Sequence, residues 1–181
     1  MEGRMKPLEA DPVQLFSGIL YHQESCLLEA VSRLIVCFGE IDYRSPVFPF
    51  TLTDYYDQEL GAPIFRTFIA FSRLISPGNL AESKLLTNEI EMQLASYNRR
   101  TVNLDPGYLD YDKVVLASAK YNGQKIYLHS GIWADLTLHY EKSAFKPYPW
   151  SFPDFKSHLY DDVFLHIRQQ YKKKRQHDRQ L

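Results

Sequence analysis

The stretch "RTVNLDPGYLDYDK" places polar side chains where they could form a ligand-binding or catalytic site. Asn103 and Asp105 are two residues apart, so on a strand both side chains lie on the same face. Pro106 and Gly107 suit the central positions of a type II turn, and we predict a turn here. Asp105 would then either accept a hydrogen bond within the turn or point with Asn103 into a pocket that Tyr108 closes.

Arg66 lies within the apolar run "IFRTFIAF". An unpaired cation buried there would cost several kcal/mol, so we expect it to pair with a carboxylate. Asp54, Glu59 and Asp105 are the candidates, and the first two belong to the polar turn "TLTDYYDQELG". In that turn Tyr55 adds an aromatic ring with a polar tip. Because a guanidinium binds anions through paired hydrogen bonds, these residues predict a recess for a small polar or anionic ligand, with a nucleotide as one option.

The segment "KIYLHSGIWADLTLHY" alternates apolar and polar residues, which predicts a β-hairpin. Register follows the buried face, so we expect either an odd number of residues in its loop or a β-bulge. The polar face would then carry these side chains: Tyr127, His129, Trp133, Asp135, Thr137 and His139. This face is either an ordinary solvated face of an antiparallel sheet or a binding face that includes Trp133 and Asp135.

Acid–base catalysis is a second option for the same residues. Asp105 could act with His129 or His139 in a hydrolase or transferase, with or without Mg²⁺, if the fold brings these groups within a few ångströms of one another. A third option is a protein-interaction module that uses the tyrosine- and proline-rich surfaces. No motif in the sequence selects among the three options or identifies a cofactor.

Composition excludes some classes of partner. The chain has 181 residues, 45% of them hydrophobic, and a net charge of −1. This balance gives no global attraction to nucleic acid or to an anionic membrane, and no apolar run reaches the length of about 18 residues that a transmembrane helix needs. The basic segment "KKKRQHDR" is the exception; we interpret it as a solvated, frayed helix end, with nucleic-acid or lipid contact as the alternative. The oligomeric state has no signal in the sequence.

Familiar catalytic and metal-binding motifs are missing from the sequence. It contains no GxxxxGK[ST] and no GxGxxG after a strand, which argues against the common phosphate-binding loops. It also contains no CxxC and no HExxH, so no zinc site is expected. Cys26 and Cys37 would lie about 16 Å apart on one helix, which is too far for a disulfide. We therefore expect two core thiols and a cytoplasmic protein.

Periodicity and turn signals predict a βαββαβ order in the first part of the chain. The expected elements are a buried strand over 13–21, a helix with an apolar stripe from Leu27 to Phe38, an edge or irregular strand over 45–53, a central strand over 64–75, a helix from Asn79 and a strand at "RTVNL". On the second helix, the residues expected to face inward are Leu86, Ile90 and Leu94, and those expected to face solvent are Lys84, Asn88 and Glu91. Two helices on one face of a four-stranded antiparallel sheet, the ferredoxin-like arrangement, would pack these elements.

Further elements follow this core. We favour a short helix over a strand for "YDKVVLASA", and the hairpin comes next. The proline-rich "FKPYPWSFPDF" is expected to be an irregular strap over the sheet, followed by a terminal helix. The predicted class is therefore α+β, with a ferredoxin-like core, a C-terminal β-hairpin and a terminal helix. We expect a disordered leader over residues 1–12, one domain over 13–175 and a frayed basic tail over 176–181.

Six segments of the chain resemble one protein family: "VQLFSGILY", "FPFTLTDYY", "KLLTNEIE", "VNLDPGYL", "KIYLHSGIWADLTLHY" and "PWSFPDF". That family is the bacterial domain of unknown function 4416. The resemblance extends from about residue 13 to residue 172, and the family's hallmark motif falls here on the residues from Asn103 to Tyr108. It implies an uncharacterised protein, with no established activity and no catalytic residues to transfer.

Overall fold

The computed structural model describes residues 6–51 and 56–178. Within these ranges the strands are β1 Val13–Tyr21, β2 Ile41–Arg44, β3 Phe48–Pro49, β4 Phe65–Ile75, β5 Val102–Leu109, β6 Lys113–Ser118, β7 Ile126–Tyr127, β8 Trp133–Glu141 and β9 Ala144–Pro147. The helices are α1 Glu24–Phe38, α2 Asp57–Leu60, α3 Leu80–Leu94, α4 Pro153–Lys156 and α5 Asp161–Asp178. A single 3₁₀ turn, Pro77–Asn79, precedes α3.

All of these strands join one antiparallel sheet. Its order is β2-β4-β1-β5-β6-β8-β7, with β3 on β4 and β9 on β8. Helices α1 and α3 cover one face, where Ile19 and Ile69 are buried. Helix α5 covers the other face, where Phe16 and Phe68 are buried against Phe164. Because both faces are covered, the central strands are apolar on both sides.

The α+β class and the antiparallel sheet are confirmed, and so is the hairpin register. Ile126 lies opposite Ala134, and the pair Tyr127–Trp133 encloses residues 128–132, an odd number. Helix α1 ends at Gly39, which has a φ of 90° that favours glycine. No helix among the described residues is long and apolar enough to cross a membrane.

The turn predicted at Pro106 and Gly107 is wrong, because β5 runs straight through both residues. Strand β1 pairs with the whole of β5, from Gln14 opposite Leu109 to Tyr21 opposite Val102, and this ladder holds the chain extended. Backbone groups of alternate strand residues point to the same side, so the nitrogen of Pro106, like that of Leu104, points away from β1. Its missing N–H therefore removes no bond from that ladder.

The helix predicted at "YDKVVLASA" is also wrong, because this segment forms strand β6 between β5 and β8. Residues 114–117 are all buried, since both faces of the sheet are covered here. A short, continuous apolar run does not distinguish a buried strand from a buried helix, and pairing on both edges decides the outcome.

Three expectations about exposure and regularity are corrected. Lys84 and Glu91 on α3 are buried, whereas Leu86 is exposed. Cys37 is exposed rather than a core thiol, Cys26 is half-buried, and both are free. The proline-rich strap is partly regular, since it begins in β9 and contains α4; Pro147 ends the strand, where a missing N–H is tolerated.

Only residues 6–12 of the predicted leader and 176–178 of the predicted tail belong to the described residues. Helix α5 continues through Asp178, beyond the predicted start of the tail. The last residues of the predicted leader contact this helix: the Tyr171 hydroxyl donates a hydrogen bond of 3.0 Å to the Pro12 carbonyl, and Arg175 pairs with Asp11.

Candidate functional site

The sheet opens between β5 and β6. These strands pair over three positions that end at Gly107 opposite Leu116, whereas β6 continues to Ser118 in register with β8. Residues 102–106 of β5 therefore have no partner among the described strands on this side. Side chains from both strands line a cavity of about 590 Å³ at this opening.

Two charged side chains of α3 replace the missing strand partner. Lys84 Nζ donates a hydrogen bond of 2.7 Å to the Leu104 carbonyl, and the Leu104 N–H donates one of 2.6 Å to Glu91 Oε1. Both main-chain groups of Leu104, at the open edge of β5, are therefore satisfied, as buried backbone groups must be. Burial raises the pKa of the Glu91 carboxyl, which the charge of Lys84 opposes only in part.

Arg66 reaches the cavity from β4 and is only 5% exposed. Its Nη1 lies 3.1 Å from Asp154 Oδ2, and its Nη2 lies 3.5 Å from Asp105 Oδ2. Four aromatic rings surround the guanidinium: Phe50, Phe68, Phe155 and Tyr160. The carboxylate partner predicted for Arg66 is therefore present, as Asp105, together with a second one that the sequence did not indicate.

Arg66 is charged but not fully hydrogen-bonded. Burial disfavours the charged form and lowers the pKa of its guanidinium, but Asp154 and Asp105 outweigh this effect, so the pKa is raised overall. Its Nε is buried and has no hydrogen-bond partner among the described residues. A buried donor without a partner costs about 1–3 kcal/mol. Arg66 therefore has an unused N–H, and its side chain is among those that line the cavity.

A hydrogen-bonded chain connects α2 to the Arg66 site. Arg100 binds both carboxylate oxygens of Glu59, at 2.6 and 2.7 Å, and its Nη1 donates to Glu91 Oε2 and to Asn103 Oδ1 at 3.0 and 2.8 Å. Asn103 Nδ2 in turn donates to Asp105 Oδ2 at 2.8 Å. The hydrogen bonds with Glu59 are the main cause of the raised pKa of Arg100. This chain fixes the position of Asp105 beside Arg66.

Replacing Glu59 with glutamine should lower the free energy of unfolding at neutral pH. Hydrogen bonding from Arg100 lowers the pKa of Glu59 below its ordinary 4.5. The carboxylate therefore contributes stability above that value and loses it as the pH falls through the lowered pKa. The Glu59 side chain is 35% exposed, so solvent screening limits the loss to about 1 kcal/mol. Urea denaturation at neutral pH and at a series of decreasing acidic pH values, through and below the range in which ordinary carboxyls are protonated, measures how this difference shrinks.

The matched control for this prediction is Glu29→Gln, which removes an exposed carboxylate paired with Arg33 on α1. We expect it to change stability by a few tenths of a kcal/mol, as is usual for exposed helix pairs. An effect of Glu59→Gln that is equally large in acid would contradict the role given to this carboxylate.

Lys125 connects the lining residues that come from β6, from β8 and from the segment between β6 and β7. Its Nζ lies 3.4 Å from Asp135 Oδ2, and both side chains are buried. It also donates hydrogen bonds to Ser118 Oγ at 2.8 Å and to the Lys120 carbonyl at 3.3 Å. The segment between β6 and β7 is thereby tied to β8.

The charges in and around the cavity are mixed and balanced. Among the described lining residues, the cations are Arg66, Lys84, Arg100, Lys120 and Lys125, and the carboxylates are Asp105, Asp135 and Asp154. Arg100 is paired with two further carboxylates, Glu59 and Glu91. With these two included, the five cations are matched by five carboxylates. Within the described part of the chain, no group of histidine, cysteine, aspartate and glutamate residues is arranged to hold a metal ion.

The structure brings together half of the binding residues expected from the sequence. Arg66, Asn103, Asp105 and Asp135 all line the cavity. The other expected residues are Asp54 and Tyr55, which lie outside the described residues, and Tyr108 and Trp133, which are not among the described lining residues.

Tyr108 cannot close the pocket because β5 is continuous. It is an odd number of residues from Asp105 and points to the opposite face, where it packs against the cluster that includes Leu80 and Ala81. Trp133 instead contacts a lining residue: its ring centre lies 5.0 Å from that of Tyr121, which lines the cavity.

The two candidate catalytic histidines do not join Asp105. His129 Nε2 lies 3.1 Å from Glu82 Oε1, at the start of α3. His139 packs against the Tyr148 ring, with ring centres 4.9 Å apart. Neither is among the residues that line the cavity with Asp105. The acid–base arrangement expected from the sequence is not assembled in this structure.

Five charged residues of the site were not expected there: Lys84, Arg100, Lys120, Lys125 and Asp154. The place of Arg100 in the site could have been inferred from the sequence, because it comes three residues before Asn103, near the start of β5. The sequence did not indicate that Lys84 belongs to the site, because a lysine on an amphipathic helix is normally solvated. Asp154 and Lys120 lie outside the elements on which the expected site was based, and Lys125 is the first residue of the predicted hairpin.

Fold and site together define an α+β protein with a mixed-charge cavity at an opening in its sheet. The model of one family, Domain of unknown function (DUF4416), matches residues 11–171. The chain belongs to this family, as its sequence motifs indicated. No curated protein and no solved structure is significantly similar to it.

Proposed function

We propose that the protein binds a small polar molecule with an anionic group, such as a nucleotide, in the cavity at the β5–β6 opening. The observation that carries this proposal is Arg66, a buried cation that lines the cavity and whose Nε has no hydrogen-bond partner among the described residues. A ligand oxygen that accepts this N–H would remove the cost of the unsatisfied donor.

The size and chemistry of the cavity support the same proposal. A volume of about 590 Å³ lies within the range of pockets that hold small ligands. Its lining combines aromatic side chains, such as Phe50 and Phe155, with cationic side chains that include Arg66. Because most of the lining cations already have carboxylate partners, the ligand would add acceptors to an ordered network rather than neutralise a strong positive field.

A thermal-shift screen tests this function. We expect at least one compound, in a panel of nucleotides, phosphorylated sugars and small carboxylates, to raise Tm by about 5–10 °C when present at a hundred times its Kd. The shift should shrink in Arg66→Lys, which keeps the charge between the two carboxylates but loses the guanidinium donors. Arg33→Lys on the exposed side of α1 is the matched control and should leave the shift unchanged.

Two results would count against this function. One is a panel in which no compound raises Tm. The other is a shift that is equally large in wild type and Arg66→Lys, since the ligand would then bind without the group that the proposal depends on. A hydrolase or transferase that uses Asp105 with His129 or His139 is not proposed, because both histidines lie outside the cavity.

We also propose that the first half of the domain is a ferredoxin-like core. In support, β5, β1, β4 and β2 are neighbours in that order, all antiparallel, and α1 and α3 pack on the same face. A cytoplasmic location is proposed as well. The two free cysteines support it, since thiols stay reduced there.

A further inference from the structure

Two aromatic side chains border the cavity while remaining open to solvent. Tyr121, in the segment between β6 and β7, is 72% exposed, and Phe152, just before α4, is 49% exposed. Large apolar side chains so exposed contribute little to the core, because burial is the source of hydrophobic stabilisation. Their position at the cavity calls for a different explanation.

The segment that carries Tyr121 is ordered by its own hydrogen bonds. The Lys120 N–H donates to Ser118 Oγ at 3.1 Å, and Lys125 links Ser118 and the Lys120 carbonyl to Asp135 on β8. The Tyr121 ring also makes an edge contact with Trp133, at 65° between the ring planes. The ring is therefore held in place while most of its surface stays exposed.

Phe152 is held from the same strand. The Ser151 hydroxyl donates to the Thr137 carbonyl at 2.5 Å and accepts from the Tyr148 N–H at 2.9 Å. The Phe152 carbonyl accepts the Lys156 N–H at 3.1 Å, at the start of α4. Asp135 and Thr137, the two anchors on β8, are two residues apart, so the segments that carry Tyr121 and Phe152 are attached to one short part of the sheet.

We propose that Tyr121 and Phe152 form a ring-binding subsite, and that the ligand therefore carries a planar heteroaromatic ring as well as its anionic group. This inference rests on the function proposed above and specifies its ligand class. Held aromatic side chains provide π-faces on which a planar ring stacks without losing much side-chain freedom. Arg66 and the lining lysines would bind the polar end of the same ligand, and Asn88 and Asn122, which also line the cavity, offer amide groups to the ring edge.

Isothermal titration with matched pairs of compounds tests the subsite. The probes are adenosine, guanosine and uridine 5′-monophosphates, with ribose 5-phosphate as the compound that keeps the phosphate and lacks the ring. We expect at least one nucleotide to bind about tenfold or more tightly than ribose 5-phosphate. Tyr121→Ala and Phe152→Ala should each weaken that nucleotide about tenfold, and leave the affinity for ribose 5-phosphate unchanged.

Tyr97→Ala is the matched control, because Tyr97 is 98% exposed and is not a lining residue; it should bind every probe as wild type does. Equal affinity for nucleotides and ribose 5-phosphate, or nucleotide binding that survives both alanine variants, would overturn the subsite and leave the proposed function standing. Failure of all these probes, and of the wider thermal-shift panel, would overturn both.

Discussion

Replacement of Arg66 by methionine is expected to lower the free energy of unfolding by about 3–5 kcal/mol, as for other buried ion pairs that lose one partner. The substitution leaves Asp154, whose side chain is 5% exposed, without the cation that lies 3.1 Å away. Asp105 loses the same cation but is partly solvated and retains Asn103 and Lys84. Guanidinium denaturation of wild type and variant, with a check that the slope is unchanged, measures the loss.

Two further variants show whether the loss comes from the unpaired carboxylate. Asp154→Asn in the Arg66→Met background removes the buried negative charge and should recover part of the stability, since the two residues share one interaction. Arg33→Met, on the exposed side of α1, should cost about 1 kcal/mol or less. An Arg66→Met protein as stable as the Arg33→Met protein would contradict the pairing of Arg66 with these carboxylates.

The existence of a recess around Arg66 was predictable, but its full composition was not. A cation in an apolar strand requires a nearby acid, and this rule correctly gave Asp105. It could not give Asp154, because that residue comes from a proline-rich segment whose path depends on the packing of β9, α4 and α5. The rule also allowed Glu59, which instead pairs with Arg100.

The prediction of which face of helix α3 is buried was wrong for a physical reason. Helical periodicity distinguishes apolar from polar faces, and it assumes that a buried face meets an apolar surface. Here α3 lies against the open edge of β5, where main-chain groups need polar partners, so Lys84 and Glu91 turn inward. An opening between two strands has no local sequence signal, because it depends on how far β6 follows β8 rather than β5.

The segment around Pro106 and Gly107 shows a similar limit. Turn propensity at these residues is a local preference, whereas pairing with β1 along the whole of β5 is a sum of many contacts. The tertiary contacts therefore outweigh the local preference. The glycine has a different role from the one predicted, since it lies at the last paired position before β5 and β6 separate.

Gly107→Ala is expected to destabilise the protein by about 1–3 kcal/mol, as overpacked core substitutions do. A Cβ atom at this position would lie 2.6 Å from the Val115 carbonyl oxygen, 2.7 Å from Phe16 Cζ and 2.9 Å from Leu116 Cδ2. The first contact is with backbone, which cannot move without disturbing the β5–β6 pair. Relief of the clash would widen the opening, so ligand affinity at the cavity should fall together with stability.

Gly123→Ala is the matched control for this effect. A Cβ atom there has no atom within 4 Å, and the added side chain restricts the unfolded chain, so the variant should be as stable as wild type or slightly more stable. Denaturation curves for the two alanine variants separate the steric cost at Gly107 from the general effect of replacing glycine. A Gly107→Ala protein as stable as the Gly123→Ala protein would mean that the added Cβ atom causes no costly clash. That result would contradict the close packing of β5 against β6 at this position.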